Sequence, residues 1–231
     1  MIAEAVVDVD VVGSCNLDIS FPVPHLPEAG ETVLGGDALW SSGGKGANQA
    51  VAWARLGRSV AMIGCVGDDP AGAQQRSQLQ SNGVEVGGVL SLAGVPTGLA
   101  AISVAEDSGE NSIVVSPGAN SRLDAAIVGA QLGPARALLV QFEVPAEAVA
   151  AAVSGFDGLV VVNPAPAREL SGDVLANVDV IVPNRGELAT LAGASTAASS
   201  VDDLVDQARS LDVGSVVVTL GRDGALVVTD V

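Results

Sequence analysis

Short apolar runs rich in Val, Ile and Leu alternate with segments of helical periodicity along most of this 231-residue chain. The apolar runs are Val6–Val12, Val60–Val66, Ala137–Gln141, Leu159–Asn163, Val180–Pro183 and Ser215–Leu220. The helical segments are Gly46–Leu56, Ala71–Asn82, Ala125–Leu132, Ala146–Val153, Arg185–Leu191 and Val201–Leu211. A strand that is apolar on both faces has to be covered on both, and a helix between successive strands makes them parallel. The alternation therefore predicts an α/β fold: a central, mostly parallel sheet flanked by helices. With 48% apolar residues, the chain has ample material for such a core.

Two stretches break the alternation. Asp18–Ser42 carries Pro22, Pro24, Pro27 and several glycines, with extended pieces at Ile19–Phe21 and Thr32–Leu39. Thr97–Pro117 reads as a hairpin, Gly98–Ala105 and Asn111–Ser116 about the turn Glu106-Asp107-Ser108-Gly109. Residues 18–42 and 97–117 are thus expected to form a small β-lid over a site. Ordinary loops with an edge hairpin are the alternative.

The sole lysine of the chain lies in Gly43-Gly44-Lys45-Gly46-Ala47-Asn48-Gln49-Ala50, at the start of a predicted helix. Glycines there let backbone approach a ligand closely, and a helix N-terminus presents N–H groups to an anion or a hydroxyl-rich molecule. A tight turn with an incidental lysine is the plainer reading. The segment is not a P-loop, because Leu39 stands where the first glycine belongs and Gly46 follows the lysine. Nor does Gly13-Ser14-Cys15-Asn16-Leu17-Asp18, after the first strand, fit a dinucleotide fingerprint.

Charge and special residues narrow the chemistry. A net charge of −17 argues against a nucleic-acid or anionic-membrane partner, because phosphate attraction dominates such binding. One histidine and two cysteines, Cys15 and Cys65, in no metal-ligand spacing, exclude a zinc site or a His-dependent triad. Both cysteines sit at apolar runs and read as buried thiols. The first residues lack a basic region and a long apolar stretch, so no signal peptide or membrane span is read and a cytoplasmic protein is expected.

Polar residues recur where predicted strands end: Asn16 and Asp18, Glu143, Asn163, Asn184 with Glu187, and Thr219 with Gly221. In open α/β sheets ligands bind beyond the carboxyl ends of the strands. A carboxylate and an amide two residues apart can hold vicinal hydroxyls, although an Asx-turn explains the same pair. Five such strand ends point to a shared crevice.

Together these segments resemble the phosphofructokinase-B-type carbohydrate kinases, and among them the ribokinase branch. The matching stretches are the Gly13–Asp18 and Gly43–Ala50 segments, Pro27-Glu28-Ala29-Gly30-Glu31-Thr32, Gly67-Asp68-Asp69, Asn163-Pro164-Ala165-Pro166-Ala167-Arg168-Glu169-Leu170, Pro183-Asn184-Arg185-Gly186-Glu187 and Thr219-Leu220-Gly221-Arg222-Asp223-Gly224. The resemblance implies ATP-dependent phosphorylation of ribose to ribose 5-phosphate. Another pentose, a nucleoside, or a non-catalytic sugar-binding or dimerisation module are the alternatives. It implies that Asn16, Asp18, Gly44, Lys45, Asn48 and Glu143 bind the sugar. It likewise assigns Asn184, Thr219 and Gly221 to nucleotide and phosphate, and Glu187 to Mg²⁺ through water. ATP as co-substrate, a monovalent cation such as K⁺, and a homodimer paired through the lid follow from the same likeness.

The family's catalytic Asp-Thr-x-Gly-Ala-Gly-Asp motif does not occur in these 231 residues. Its place is after Ala225–Val228. A single incomplete, C-terminally truncated domain spanning 1–231 is therefore expected, with no residue of its own for the general base and no meaningful kinase activity.

Overall fold

The computed structural model describes residues 7–229; Val6, the first residue of the first expected strand, lies outside the described residues, as do Asp230 and Val231. Chain order begins β1 (Val7–Val12), β2 (Asn16–Val23), β3 (Leu39–Gly43), α1 (Lys45–Arg55), β4 (Val60–Gly67) and α2 (Pro70–Ser81). It continues through β5 (Val84–Glu85), β6 (Val89–Leu92), β7 (Gly98–Ala105), β8 (Asn111–Ser116), α3 (Ala125–Gln131), β9 (Ala135–Gln141) and α4 (Ala146–Ser154). The last elements are β10 (Leu159–Asn163), α5 (Gly172–Leu175), β11 (Val180–Ile181), α6 (Arg185–Leu191), α7 (Val201–Arg209), β12 (Ser215–Thr219) and β13 (Ala225–Thr229).

The main sheet runs β13-β12-β11-β10-β9-β1-β4-β5, with β6 also paired to β4. All its pairings are parallel except β12 with β13, a hairpin at the edge. This is the α/β architecture that the alternation predicts. Side-chain alternation along β1 sends Val9 and Val11 into one apolar layer, with Ala47, Ala50, Met62 and Leu79 of α1, β4 and α2. Val12 enters the other layer, with Leu138, Val149, Leu188 and Leu204. Asp10 points to that second side; it is 2% exposed, and its Oδ2 accepts a bond from Gly133 N (3.2 Å).

The second sheet has the order β3-β2-β7-β8. Here β2 pairs antiparallel with β3 and parallel with β7. Its two halves come from segments 18–42 and 97–117 together with the residues just before and after the first. β2 begins at Asn16, with only three residues between it and the end of β1, so Asn16 and Asp18 stand on this sheet and not in a loop beyond the main one. Thr32–Leu39 was expected to be extended, but only Leu39 is in a strand. Gly36 N–H is spent on Pro22 O (2.8 Å), which holds that stretch against Pro22.

The run Val180–Pro183 is likewise shorter as a strand. Val182 N–H still donates to Val162 O (2.8 Å), but Pro183 has no N–H to continue the ladder. The short β5, β6 and α5 escape a reading based on long periodic runs.

The root of β7 is fastened to the main sheet. Asp69 caps α2 through Gly72 N (2.8 Å) and also accepts from Thr97 N (2.8 Å) and Thr97 Oγ (2.6 Å). Gly67 N donates to the same Thr97 hydroxyl (2.9 Å). Burial works to raise the Asp69 pKa, yet these bonds outweigh it and hold the carboxyl below its ordinary value.

Candidate active site

The site begins where β1 meets the N-terminus of α1. Gly44 turns β3 into α1 at φ +91°, and a β-carbon there would lie 2.7 Å from Ser14 O. Gly46 is equally confined: a β-carbon would stand 2.7 Å from Gly13 C and from Ser14 N. These two positions need glycine because the helix start is pressed against the end of β1.

That closeness changes the expected use of the helix N-terminus. Its first N–H groups are not waiting for a ligand. Lys45 N donates to Glu143 Oε2 (3.0 Å), Ala47 N to Ser14 O (3.0 Å), and Gly46 N reaches Ser14 Oγ (3.4 Å). Ser14 Oγ in turn donates to Glu143 Oε2 (2.5 Å). One carboxylate oxygen thus ties β1, α1 and the loop after β9 together. The other, Oε1, lies 3.8 Å from Lys45 Nζ.

Lys45, Glu143 and Glu187 line one cavity of about 600 Å³. Ile113 and Val115 of β8 form part of its wall, as do Phe142 and Pro166. Asp18 lies half-buried with its carboxylate against Gly43, where a β-carbon would overlap it. Its Oδ1 is buried without a partner. Burial, with Glu143's negative charge added, raises the Asp18 pKa above its ordinary value.

Asn16 is 2% exposed, and its Oδ1 accepts from Asn120 Nδ2 (2.7 Å). Asn120 also caps both polar backbone groups of Cys15, at 2.9 and 3.3 Å. Asn48 is exposed on α1 and lines a neighbouring cleft of about 420 Å³ with Trp40 and Gln75. Asn163 is spent on structure: Gln141 Nε2 donates to Gln49 Oε1 (2.6 Å), Gln49 Nε2 to Asn163 Oδ1 (3.3 Å), and Asn163 Nδ2 to Val182 O (3.0 Å).

Asn184 and Glu187 form a capping box on α6. Glu187 N donates to Asn184 Oδ1 (2.8 Å), and Asn184 N donates to Glu187 Oε2 (2.8 Å). The Asn-x-x-Glu spacing by itself announces this. Thr219 bridges to Asn184 and its N–H donates to Pro183 O (2.8 Å). Gly221 follows at φ +62° on an exposed turn. Asn184, Thr219 and Gly221 therefore sit at the C-terminal ends of β11 and β12, and Glu187 is the member of this group that reaches the Lys45 cavity.

Comparison with known proteins accords with this arrangement. The model of the "pfkB family carbohydrate kinase" matches residues 7–231. The chain belongs to the pfkB family of carbohydrate kinases. Ribokinase of Haemophilus influenzae is 39% identical over 224 residues, covering 94% of this chain and 73% of that protein. Ribokinase of Schizosaccharomyces pombe is 39% identical over 237 residues, covering 95% and 74%. The structure of Arabidopsis thaliana ribokinase complexed with ribose and ATP superimposes with a TM-score of 0.84 at 26% identity, covering 98% of this chain and 76% of that one. The cavity holding Lys45 and Glu143 lies just beyond the C-terminal end of β9, against β8 of the second sheet.

Reading the sequence missed Ser14 and Asn120, which orient Glu143 and Asn16. Ser14 sits inside the Gly13–Asp18 segment, and its position between Gly13 and Asn16 was the available signal. Asn120 had none, since its role depends on a contact 104 residues away. Among the described residues no cluster of three or more His, Cys, Asp or Glu could hold a metal ion, and no helix is long and apolar enough to cross a membrane.

Proposed function

We propose that this pfkB kinase is a ribokinase, binding ribose in the crevice between the two sheets to phosphorylate its 5-hydroxyl from ATP. The observation that carries the reading is the convergence of Lys45, Glu143 and Glu187 on one cavity walled by β8. It is supported by the partnerless Oδ1 of Asp18, an acceptor suited to a sugar hydroxyl.

In this reading Asp18 and Glu143 accept bonds from ribose hydroxyls, while Lys45 and the Asn48 amide donate. Ser14 and Lys45 N hold Glu143 in one orientation before sugar arrives, so little ordering is left to binding. Gly44 makes the turn that sets Lys45 at the cavity, and Asn16 fixes the start of β2. Phosphoryl transfer depends on positioning and charge neutralisation, which is what such a preset site supplies. Asn184, Thr219 and Gly221 would receive the phosphate end of ATP.

A lone carboxylate with one oxygen already bonded does not make a resident metal cage. It does suit Mg²⁺ delivered with ATP, because that ion keeps waters and takes one or two carboxylates besides phosphate. Glu187 would hold the ion through water, and the ion would neutralise phosphate charge. The second sheet serves as the lid. Its Val114, exposed on the face opposite to Ile113 and Val115, suits pairing with a second copy, which sedimentation analysis would detect.

A polypeptide of these 231 residues contains no Gly-Ala-Gly-Asp segment to supply the base and anion hole. We expect it to bind ribose without turning it over. Calorimetric titration with ribose, beside a coupled ADP-release assay, tests both halves. Asp18→Ala should weaken the ribose binding read by this heat at least tenfold. Ribose-dependent turnover above about 1 s⁻¹, an ordinary enzymatic rate, would overturn the expectation of inactivity. No ribose heat in the unmodified chain would overturn the binding assignment.

A further inference from the structure

A second cleft of about 420 Å³ runs between α1 and α2, closed at one end by β3. It lies along the α1 face carrying Asn48, Val51 and Arg55, and it meets the proposed sugar site at Asn48. Its lining is unusual for this chain. Although 27 of the 231 residues are acidic, no carboxylate lines it. Five primary amides do, among them Asn48, Gln74, Gln75 and Gln78. The fifth, Asn82, accepts through Oδ1 from Arg55 Nε (3.1 Å), so the one cation is already held.

Gln75 forms the fixed, buried floor of this amide lining. It is 0% exposed, and its Nε2 donates to Asn16 O (2.6 Å). That bond fixes which end of the amide is the oxygen, because a carbonyl can only accept. The remaining Oε1 is buried with no hydrogen-bond partner. A buried acceptor without a donor is unfavourable in an otherwise bonded interior.

We propose that this cleft is a second binding site, taking a small neutral polyhydroxylated molecule such as a polyol or monosaccharide. Amides both donate and accept, as hydroxyls do. An anion would find only one cation, already engaged, and a cation would find no carboxylate. The Trp40 indole, 59% exposed on the rim, offers a flat face to the C–H side of such a ligand.

Trp40 and Trp53 are the two tryptophans of the chain, so a Trp53→Phe background leaves Trp40 as a single reporter. In that background, ribitol and D-ribose are titrated and indole emission is followed. The expected result is a saturable change that persists in Asp18→Ala, which removes the proposed ribose site. Gln78→Phe, placed on an exposed position to fill the cleft, should weaken the response at least tenfold. Gln74→Ala/Gln78→Ala should do the same by removing donors without adding bulk, and circular dichroism checks that each variant is folded. Loss of the response in Asp18→Ala with retention in the Gln74 and Gln78 variants would mean that Trp40 reports the ribose site alone, and would overturn the proposal. So would the absence of any saturable change. Failure of ribose to bind at Asp18 with the cleft response intact would count against the proposed function and not against the cleft.

Discussion

Asp10→Asn isolates the effect of one buried charge on the stability of the main sheet. Asp10 stands mid-strand in β1, between Ala61 and Leu138 on the neighbouring strands. Burial pushes its pKa up to about 6, against a lowering by the single bond from Gly133. From the ordinary 3.8 that is roughly 2.2 pH units, or about 3 kcal/mol at 1.36 kcal/mol per unit. A raised folded-state pKa means that the native state binds the proton more tightly than the unfolded chain. Stability from this group is therefore fully present below about pH 4 and is lost as pH rises through about 6. Between pH 4.5 and 7.5 the loss integrates to about 2 kcal/mol. Asparagine keeps an acceptor for Gly133 N–H and does not titrate. The stability of the variant minus that of the parent should thus grow by about 2 kcal/mol over that range, whatever constant offset the new amide introduces. Urea unfolding followed by circular dichroism at several pH values measures it. Parallel stability curves for the two proteins would show that Asp10 ionises as in water, and would refute the reasoning.

Gly44→Ala should destabilise by about 2 kcal/mol or more, since it combines a positive φ with a contact on Ser14 O; urea unfolding reads this directly. Asp69→Ala removes the α2 cap and both bonds to Thr97, at a cost of about 2–4 kcal/mol, and amide exchange should accelerate in β7 more than in β9. Ribose affinity, measured by calorimetry, should fall as pH drops through the raised pKa of Asp18, because protonation removes an acceptor; Asp18→Asn should flatten that dependence.

Strand and helix order was legible because long runs such as Leu159–Val162 and Ser215–Val218 carry periodicity without competing signals. The exceptions are local. Pro183 cut one strand, and a pair of glycines turned another expected strand against Pro22. In the crevice, Lys45, Glu143 and Glu187 could be singled out because each follows a strand and carries a chemistry unlike its neighbours. What holds them could not. Glu143 is oriented by Ser14, 129 residues away in sequence, and such contacts leave no spacing to read. The helix N-terminus misled for a related reason: its donors were counted as available when the protein itself consumes them.

The parallel pairing of β2 with β7 joins Asn16 to Gly98, partners 82 residues apart. Between them lie β3, α1, β4, α2, β5 and β6, so β7 arrives only after much of one side of the main sheet exists. Contacts this distant in sequence close late, because the loop entropy has to be met before the pairing rewards it. β2 is made early and must wait, and in that interval its Leu17, Ile19 and Phe21 lack the β7 partner. The second sheet is therefore one place, beside the still more distant β1–β9 pairing, where a slow folding phase and a tendency to mispair should be sought, and slowing synthesis between residues 23 and 98 would lengthen that exposure.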